Sequence, residues 1–208
     1  AERSQEAIEN PRDDMISDLV TAKLDGERSV VIKEVVSLLQ QFLVAGNETT
    51  TNLIGATLMF LYQNPGEFEK LKADPGLLTN AIEEALRLES PTSGMWRVVT
   101  RDTELGGVAL AEGSMIMLRY AAANRDPNMF EDPDTFRIDR PNARDHLAFG
   151  MGIHFCPGAA LAREETRIGL GALLERLPGL RLAPGNDFKH TPSVLLRGLK
   201  RLELEFDA

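Results

Sequence analysis

Apolar side chains recur at three- and four-residue spacing through Met15, Ile16, Leu19, Val20 and Leu24, which predicts a short amphipathic helix over residues 12–25 with Gly26 at its C-cap. From Val30 to Gln63 no Pro interrupts, and the helical period continues through Val35, Val36, Leu39, Phe42, Leu43, Leu53, Leu58 and Leu61. At 1.5 Å per residue such a helix is roughly 50 Å long, the kind that runs through the middle of a larger protein. Pro65 and Pro75 open two shorter helices, the second over residues 77–89 and stopped before Pro91. Beyond Pro91 the period changes. Val98-Val99-Thr100, Glu104-Leu105, Val108-Ala109-Leu110 and Met115-Ile116-Met117-Leu118 predict short strands, with Gly106-Gly107 as a tight turn, and together a small antiparallel sheet. Residues 124–145 are dense in Asp, Pro, Asn and Arg without any period and predict an ordered, irregular loop. A last helix is predicted over residues 157–177, and a tail over 180–206 gives more strands, with Gly185 and Gly198 as turn signals. The fold class implied is mainly α with small antiparallel β-sheets (α+β).

Composition narrows the function. The 208 residues carry 23 Lys plus Arg against 32 Asp plus Glu, a net charge of −9, and 43% are hydrophobic, enough for one good core or two small ones. So acidic a chain, with no long basic run, argues against nucleic acid or an anionic membrane as partner. A single Cys excludes a disulfide framework and a Cys-rich zinc site. No apolar stretch approaches the ~20 residues needed to span a bilayer, and the polar start Ala1-Glu2-Arg3-Ser4 lacks the apolar region of a signal peptide. The expected compartment is therefore the reducing cytoplasm. The chain does not open with Met, so it is expected to be a piece of something longer.

Three stretches carry candidate chemistry. In Phe149-Gly150-Met151-Gly152-Ile153-His154-Phe155-Cys156-Pro157-Gly158, three glycines permit turns closed to other residues and let a large flat ligand approach the main chain. The lone Cys ends this loop just ahead of a helix, where the dipole and peptide N–H groups favour the thiolate that binds a metal. A dinucleotide fingerprint does not fit, because Phe155 occupies the place of its third glycine. In Glu84-Ala85-Leu86-Arg87 the acid and the base share one helix face and can pair bidentately. In Ala45-Gly46-Asn47-Glu48-Thr49-Thr50, Gly and back-bonding hydroxyls are expected to open the long helix locally, and flanking Phe42-Leu43-Val44 and Leu53-Ile54 argue against an exposed face.

These stretches resemble, in the same order along the chain, three signatures of the cytochrome P450 family, the haem-thiolate monooxygenases. The resemblance covers essentially the whole sequence and implies the C-terminal portion of that fold with a long central helix, residues 1–208 forming its haem-binding portion. It implies haem b (iron protoporphyrin IX) as cofactor, with Cys156 as axial iron ligand. His154 and Arg97 then match positions that hold the haem propionates, Phe149 the aromatic near the ligating sulfur, and Gly150, Gly158, Ala45 and Gly46 further cofactor-facing positions. Glu48 and Thr49 correspond to an acid–alcohol pair that relays protons to dioxygen. Glu84 and Arg87 correspond to a buried pair locked by an Arg from the irregular loop, and Phe130-x-x-Pro133-x-x-Phe136-x-x-x-Arg140 makes Arg140 that third member of a structural ion-pair network. Thr92 to Trp96 and the turn at Pro192-Ser193-Val194-Leu195 match substrate-lining segments.

The resemblance implies a soluble bacterial-type monooxygenase acting with O2 on an apolar small molecule. No flavin or nicotinamide motif is present, so a ferredoxin with its reductase would supply electrons. The alternatives are a peroxide-driven or oxidative-coupling haem enzyme, which needs no relay such as Glu48 and Thr49, and a non-catalytic haem-binding or interaction fragment. Family members are longer by an N-terminal half, and apolar surface meant for that half, or for an associated copy, should be exposed. One departure bears on the iron: Pro157 follows Cys156 where many relatives carry an aliphatic residue, and Pro offers no N–H to the sulfur. Fewer donors leave more charge on sulfur and lower the reduction potential. Pro157→Leu should therefore raise the potential in spectroelectrochemistry; no change, or a fall, would defeat that expectation.

Overall fold

Asp14 sits in extended conformation (φ −152°) and accepts the Ser17 N–H at 2.8 Å, so helix α2 begins after it and spans Met15–Thr21. The computed structural model describes residues 2–207 apart from 25 and 27, and the chain divides into two compact units, Ala1–Glu48 and Thr49–Ala208. In the first unit, α1 (Glu2–Glu9) packs on α2, and Arg3 donates to Asp14 at 2.6 Å. The Ser17 N–H and the Arg3 guanidinium together lower the Asp14 carboxyl to about 2. A small core of Ala7, Val20 and Val35, with Ile16, Leu19, Val30 and Leu39 against it, holds the unit together. The helix predicted over residues 12–25 is shorter than expected. It ends at Thr21, whose hydroxyl donates back to the Ser17 carbonyl (2.8 Å), and Ala22 is already extended. Strands β1 (Lys23–Leu24) and β2 (Arg28–Ser29) then pair antiparallel, so Gly26 (φ +77°) belongs to a hairpin turn rather than a helix cap. Asp25, also inside the predicted helix, lies outside the described residues.

The long helix α3 is Ile32–Gln63, begun in the first unit and ended in the second. It runs as unbroken α-helix through residues 45–50, so the expected local opening is not there. A back-bonding hydroxyl is compatible with an intact ladder, as Thr57 shows by donating to the Leu53 carbonyl at 2.8 Å. The expectation that this stretch is covered holds only at its end, where Thr49 is half-buried and Thr50 buried. Leu43 and Val44 are 73% and 77% exposed and residues 45–48 are exposed with them, because the first unit's core ends at Leu39.

In the second unit, α4 (Pro65–Ala73) and α5 (Leu78–Leu88, entered through a 3₁₀ turn at Pro75–Leu77) follow the two prolines. Every residue of α5 from Ala81 to Leu88 is buried, with the end of α3 and α7 (Ala159–Arg176) contributing Leu53, Leu61 and Leu170 to the same core. Strands β3 (Met95–Val98) and β6 (Met115–Leu118) pair with Met95 opposite Leu118. Between them β4 (Thr103–Leu105) and β5 (Val108–Leu110) form a hairpin whose Gly106 and Gly107 both have positive φ, as a tight two-residue turn demands. The single small sheet expected here is thus two separate ladders, and β3 starts and ends earlier than the predicted Val98–Thr100. Short α6 (Tyr120–Ala123) precedes the irregular loop, and β7 (Arg181–Leu182) pairs with β8 (Leu204–Glu205) in the tail.

Adjacent carboxylates on α5 tie this unit together in two directions. Glu84 receives Arg87 bidentately (2.7 and 2.8 Å) and Arg140 (2.8 Å), and the three side chains are almost wholly buried. The irregular loop has few ladder partners for its carbonyls, and the two guanidiniums supply donors instead. Arg87 donates to the carbonyls of Asn124, Pro133 and Thr135, and Arg140 to those of Glu131, Asp132 and Thr135. Glu83, 1% exposed, turns the other way and receives Arg163 of α7 at 2.6 and 3.0 Å, His146 at 3.0 Å and Arg144 at 3.2 Å. Burial alone would raise its carboxyl, but the hydrogen bonds from His146 and Arg163 and the charge of Arg163 prevail and lower it to about 2.

Two measurements check these networks. Arg140→Met leaves Glu84 with one cation fewer and three loop carbonyl contacts unmade, and should cost about 3–5 kcal/mol in urea unfolding. Glu83 contributes stability that is complete above the ordinary carboxyl range near 4.5 and is lost as pH falls toward about 2. Glu83→Gln should therefore flatten the pH dependence of unfolding free energy across that window, measured by chemical denaturation at stepped pH.

Candidate functional site

The loop that carries the lone Cys is set by backbone bonds. Leu147 N–H donates to the buried Asn124 Oδ1 (2.6 Å), and Gly150 N–H donates to the Leu147 carbonyl (2.9 Å). Gly150 and Gly152 adopt φ of +72° and +71°, the left-handed region that disfavours a Cβ, and a short 3₁₀ turn over Gly152–His154 follows. The loop then doubles back: Phe155 N–H reaches the Gly152 carbonyl (3.0 Å) and Cys156 N–H the Phe149 carbonyl (2.9 Å). Cys156 is half-buried, three residues ahead of α7, and its own carbonyl accepts the Ala159 N–H (3.2 Å). At Gly158 a Cβ would stand 3.8 Å from the Cys156 sulfur, so the sulfur's surroundings on that side are bare backbone.

Around the sulfur the chain presents apolar side chains outward: Met151, Ile153 and Phe155 are 74%, 97% and 51% exposed. His154 is exposed as well, and Phe149 is half-buried. Arg97 lies half-buried on β3, donating to the Trp96 carbonyl at 2.8 Å. The two segments expected to line a substrate are brought together: Ser93 N–H donates to the Leu195 carbonyl at 2.7 Å, and Thr92 bridges to Leu196. Gly94 is required there, because a Cβ would come within 2.4 Å of the Leu118 carbonyl oxygen. Ala45, Gly46 and Glu48 are exposed on the first unit's part of α3, and Thr49, half-buried, opens the second unit's part.

The donor set discriminates among cofactors. Among the described residues there is no cluster of three or more His, Cys, Asp or Glu side chains able to hold a bare metal ion. One soft sulfur on a glycine loop, rimmed by exposed apolar side chains, fits a flat macrocycle that brings its own equatorial ligands and asks the protein for a single axial one. The residues present therefore fit a haem.

Glu83 and its partners were not legible as a site feature. The signals available were an acid inside a helix buried on every side and a His three residues before Phe149, and neither points to the other without the fold. Arg163 closes the arrangement by laying its guanidinium over the Phe149 ring, 4.6 Å from the centroid.

The comparisons agree with this geometry. The family model Cytochrome P450 matches residues 76–205. Cytochrome P450 107B1 of Saccharopolyspora erythraea is 46% identical over 194 residues, covering 92% of this chain and 47% of that protein. The polyketide biosynthesis cytochrome P450 PksS of Bacillus subtilis is 43% identical over 196 residues, with the same coverage of 92% and 47%. Thus the chain spans about half the length of the curated relatives it matches. Among solved structures, CYP109E1 from Bacillus megaterium in complex with testosterone superposes with a TM-score of 0.93 at 40% identity, covering 100% of this chain and 57% of that one. P450BioI in complex with an acyl carrier protein ligated to hexadec-9Z-enoic acid superposes at 0.90 and 38% identity, covering 99% and 52%. With a family model matched over more than half its length and a single cysteine presented on a doubled glycine loop, the chain belongs to the cytochrome P450 family.

Proposed function

We propose that the protein carrying this chain is a haem-thiolate monooxygenase that inserts one oxygen atom of O2 into an apolar small molecule, with electrons from a separate redox partner. The observation that carries the reading is Cys156, a lone half-buried sulfur at the end of a loop whose glycines take left-handed turns and whose apolar side chains are exposed. Haem b, held by Cys156, would supply the redox chemistry and the site at which O2 is activated. His154 and Arg97 offer a cation or N–H to its carboxylates, and Phe149, Gly150 and Gly158 back the sulfur. Ala45 and Gly46 would leave room on the long helix. Glu48 and Thr49 are the proton path: the Thr49 hydroxyl donates and is reprotonated from the Glu48 side, a role that a peroxide-driven enzyme would not need.

The substrate class rests on the relatives. Testosterone in CYP109E1 and hexadec-9Z-enoic acid in P450BioI are largely apolar molecules, and the meeting segments 92–96 and 192–195 are the proposed lining here. No helix among the described residues is long and apolar enough to cross a membrane, and we place the protein in the cytoplasm with a ferredoxin and its reductase as electron supply. Residues 1–208 would be its C-terminal haem-binding portion, and the exposed Leu43 and Val44 would be covered by an N-terminal half or an associated copy. The non-catalytic fragment reading is favoured by that exposed surface, and haem binding by the chain without turnover by the whole protein would support it.

The test is the absorption spectrum of the dithionite-reduced protein under carbon monoxide. A strongly red-shifted Soret band is expected, and Cys156→Ser should abolish it. A band at the ordinary histidine-ligated position in the parent would remove the thiolate assignment.

A further inference from the structure

The Glu83 network is buried, fully partnered and outside the ion-pair network formed by Glu84. We propose that Glu83 is a positioning residue for Cys156, acting through Arg163 and His146 on Phe149; the inference rests on Cys156 being the iron ligand. Its basis is a chain of contacts. Glu83 accepts two bonds from Arg163 (2.6 and 3.0 Å), which fixes the guanidinium, and its central carbon stands over the Phe149 ring, 4.6 Å from the centroid. The Ala148 N–H donates to His146 Nδ1 at 3.1 Å, which leaves the ring proton on Nε2, the atom that faces Glu83 at 3.0 Å. His146, so held, packs against Phe149 with centroids 5.9 Å apart. Phe149 in turn meets Phe155 at 6.4 Å, and its carbonyl accepts the Cys156 N–H at 2.9 Å.

One carboxylate therefore orients both the cation and the imidazole that contact Phe149, and the Phe149 peptide holds the backbone of the sulfur ligand. Arg144 also pairs with Glu83 but is largely exposed and touches the carboxylate from outside. Without the charge on residue 83, Arg163 is no longer held over the ring, and Phe149 regains rotamer freedom that passes to the Cys156 amide. Partners that orient a ligand from behind typically change metal affinity or activity by 10–100-fold when lost. A simple tether between α5 and α7 would stabilise the fold yet leave the sulfur undisturbed.

The experiment uses the haem-loaded, full-length protein and three variants, Glu83→Gln, Arg163→Lys and Glu164→Gln. Glu164 pairs with Arg167 on the exposed side of α7 and serves as the control for loss of one negative charge. Haem transfer to excess apoglobin, the Soret position of the reduced carbon monoxide complex and the thermal midpoint are measured. Glu83→Gln and Arg163→Lys should release haem roughly 10-fold faster, with part of the complex moved to the ordinary histidine-ligated position. Glu164→Gln should match the parent. Lys keeps the charge toward Glu83 but cannot make the paired bonds that hold the guanidinium over Phe149, so Arg163→Lys tests positioning even if Glu83→Gln does not fold. Lower midpoints with unchanged haem release and band position overturn the proposal in favour of a tether. A parent without the red-shifted band overturns the assignment of Cys156 and this inference with it, whereas a parent with the band and variants identical to it overturn this inference alone.

Discussion

A loop of some twenty residues with little regular structure has to dispose of its backbone carbonyls, and here two buried guanidiniums do so. Arg87 and Arg140 bond the carbonyls of residues 124, 131, 132, 133 and 135 while sharing one carboxylate, Glu84. Three desolvated charged side chains would be a doubtful source of stability if their only partners were one another, since well-packed apolar residues often do as well. Their additional bonds to peptide oxygen change the balance, because each guanidinium then satisfies loop carbonyls as well as the carboxylate. The loop is thus ordered by buried side chains rather than by a ladder of its own. Asn124, whose carbonyl Arg87 reaches, also accepts the Leu147 N–H with its side chain, so the order passes into the segment that carries Cys156.

The site is correspondingly built from backbone more than from side chains. The turns at Gly150 and Gly152, the amide of Cys156 on the Phe149 carbonyl and the bare flank at Gly158 set one sulfur at the end of a folded-back loop. Such an arrangement has little means of choosing a metal by geometry, and it suits a cofactor whose own ring has already made that choice. The side chains of His146 and Arg163 add contacts to Phe149, the residue whose carbonyl holds the Cys156 amide.

Much of this was legible from spacing. Pro65 and Pro75 mark helix starts because a missing N–H costs nothing in the first turn, and Gly106-Gly107 marks a hairpin because both positions need positive φ. Helix α1 was not legible: its buried faces are Ser4 and Ala7, too small and polar to form an apolar stripe. Gly26 was ambiguous, since a helix cap and a hairpin turn ask for the same left-handed residue. Phe42 to Val44 read as covered because apolar runs normally are, yet no part of the first unit's core reaches them. Glu83 was hidden for a different reason. Its partners His146 and Arg163 lie 63 and 80 positions away, and nothing local distinguishes it from its neighbour.

That pair of neighbours has a consequence for α5. Successive residues of a helix point about 100° apart, so Glu83 and Glu84 face different sets of cations at a fixed angular offset. Rotating the helix by one residue would turn Ile82 or Ala85 toward one set and leave only one carboxylate to serve the other. Sliding it by a full turn would strand both. The two acids therefore act as a keyed coupling, which admits α5 into the core at a single rotation and a single depth, whatever freedom the surrounding Leu and Ala packing would allow.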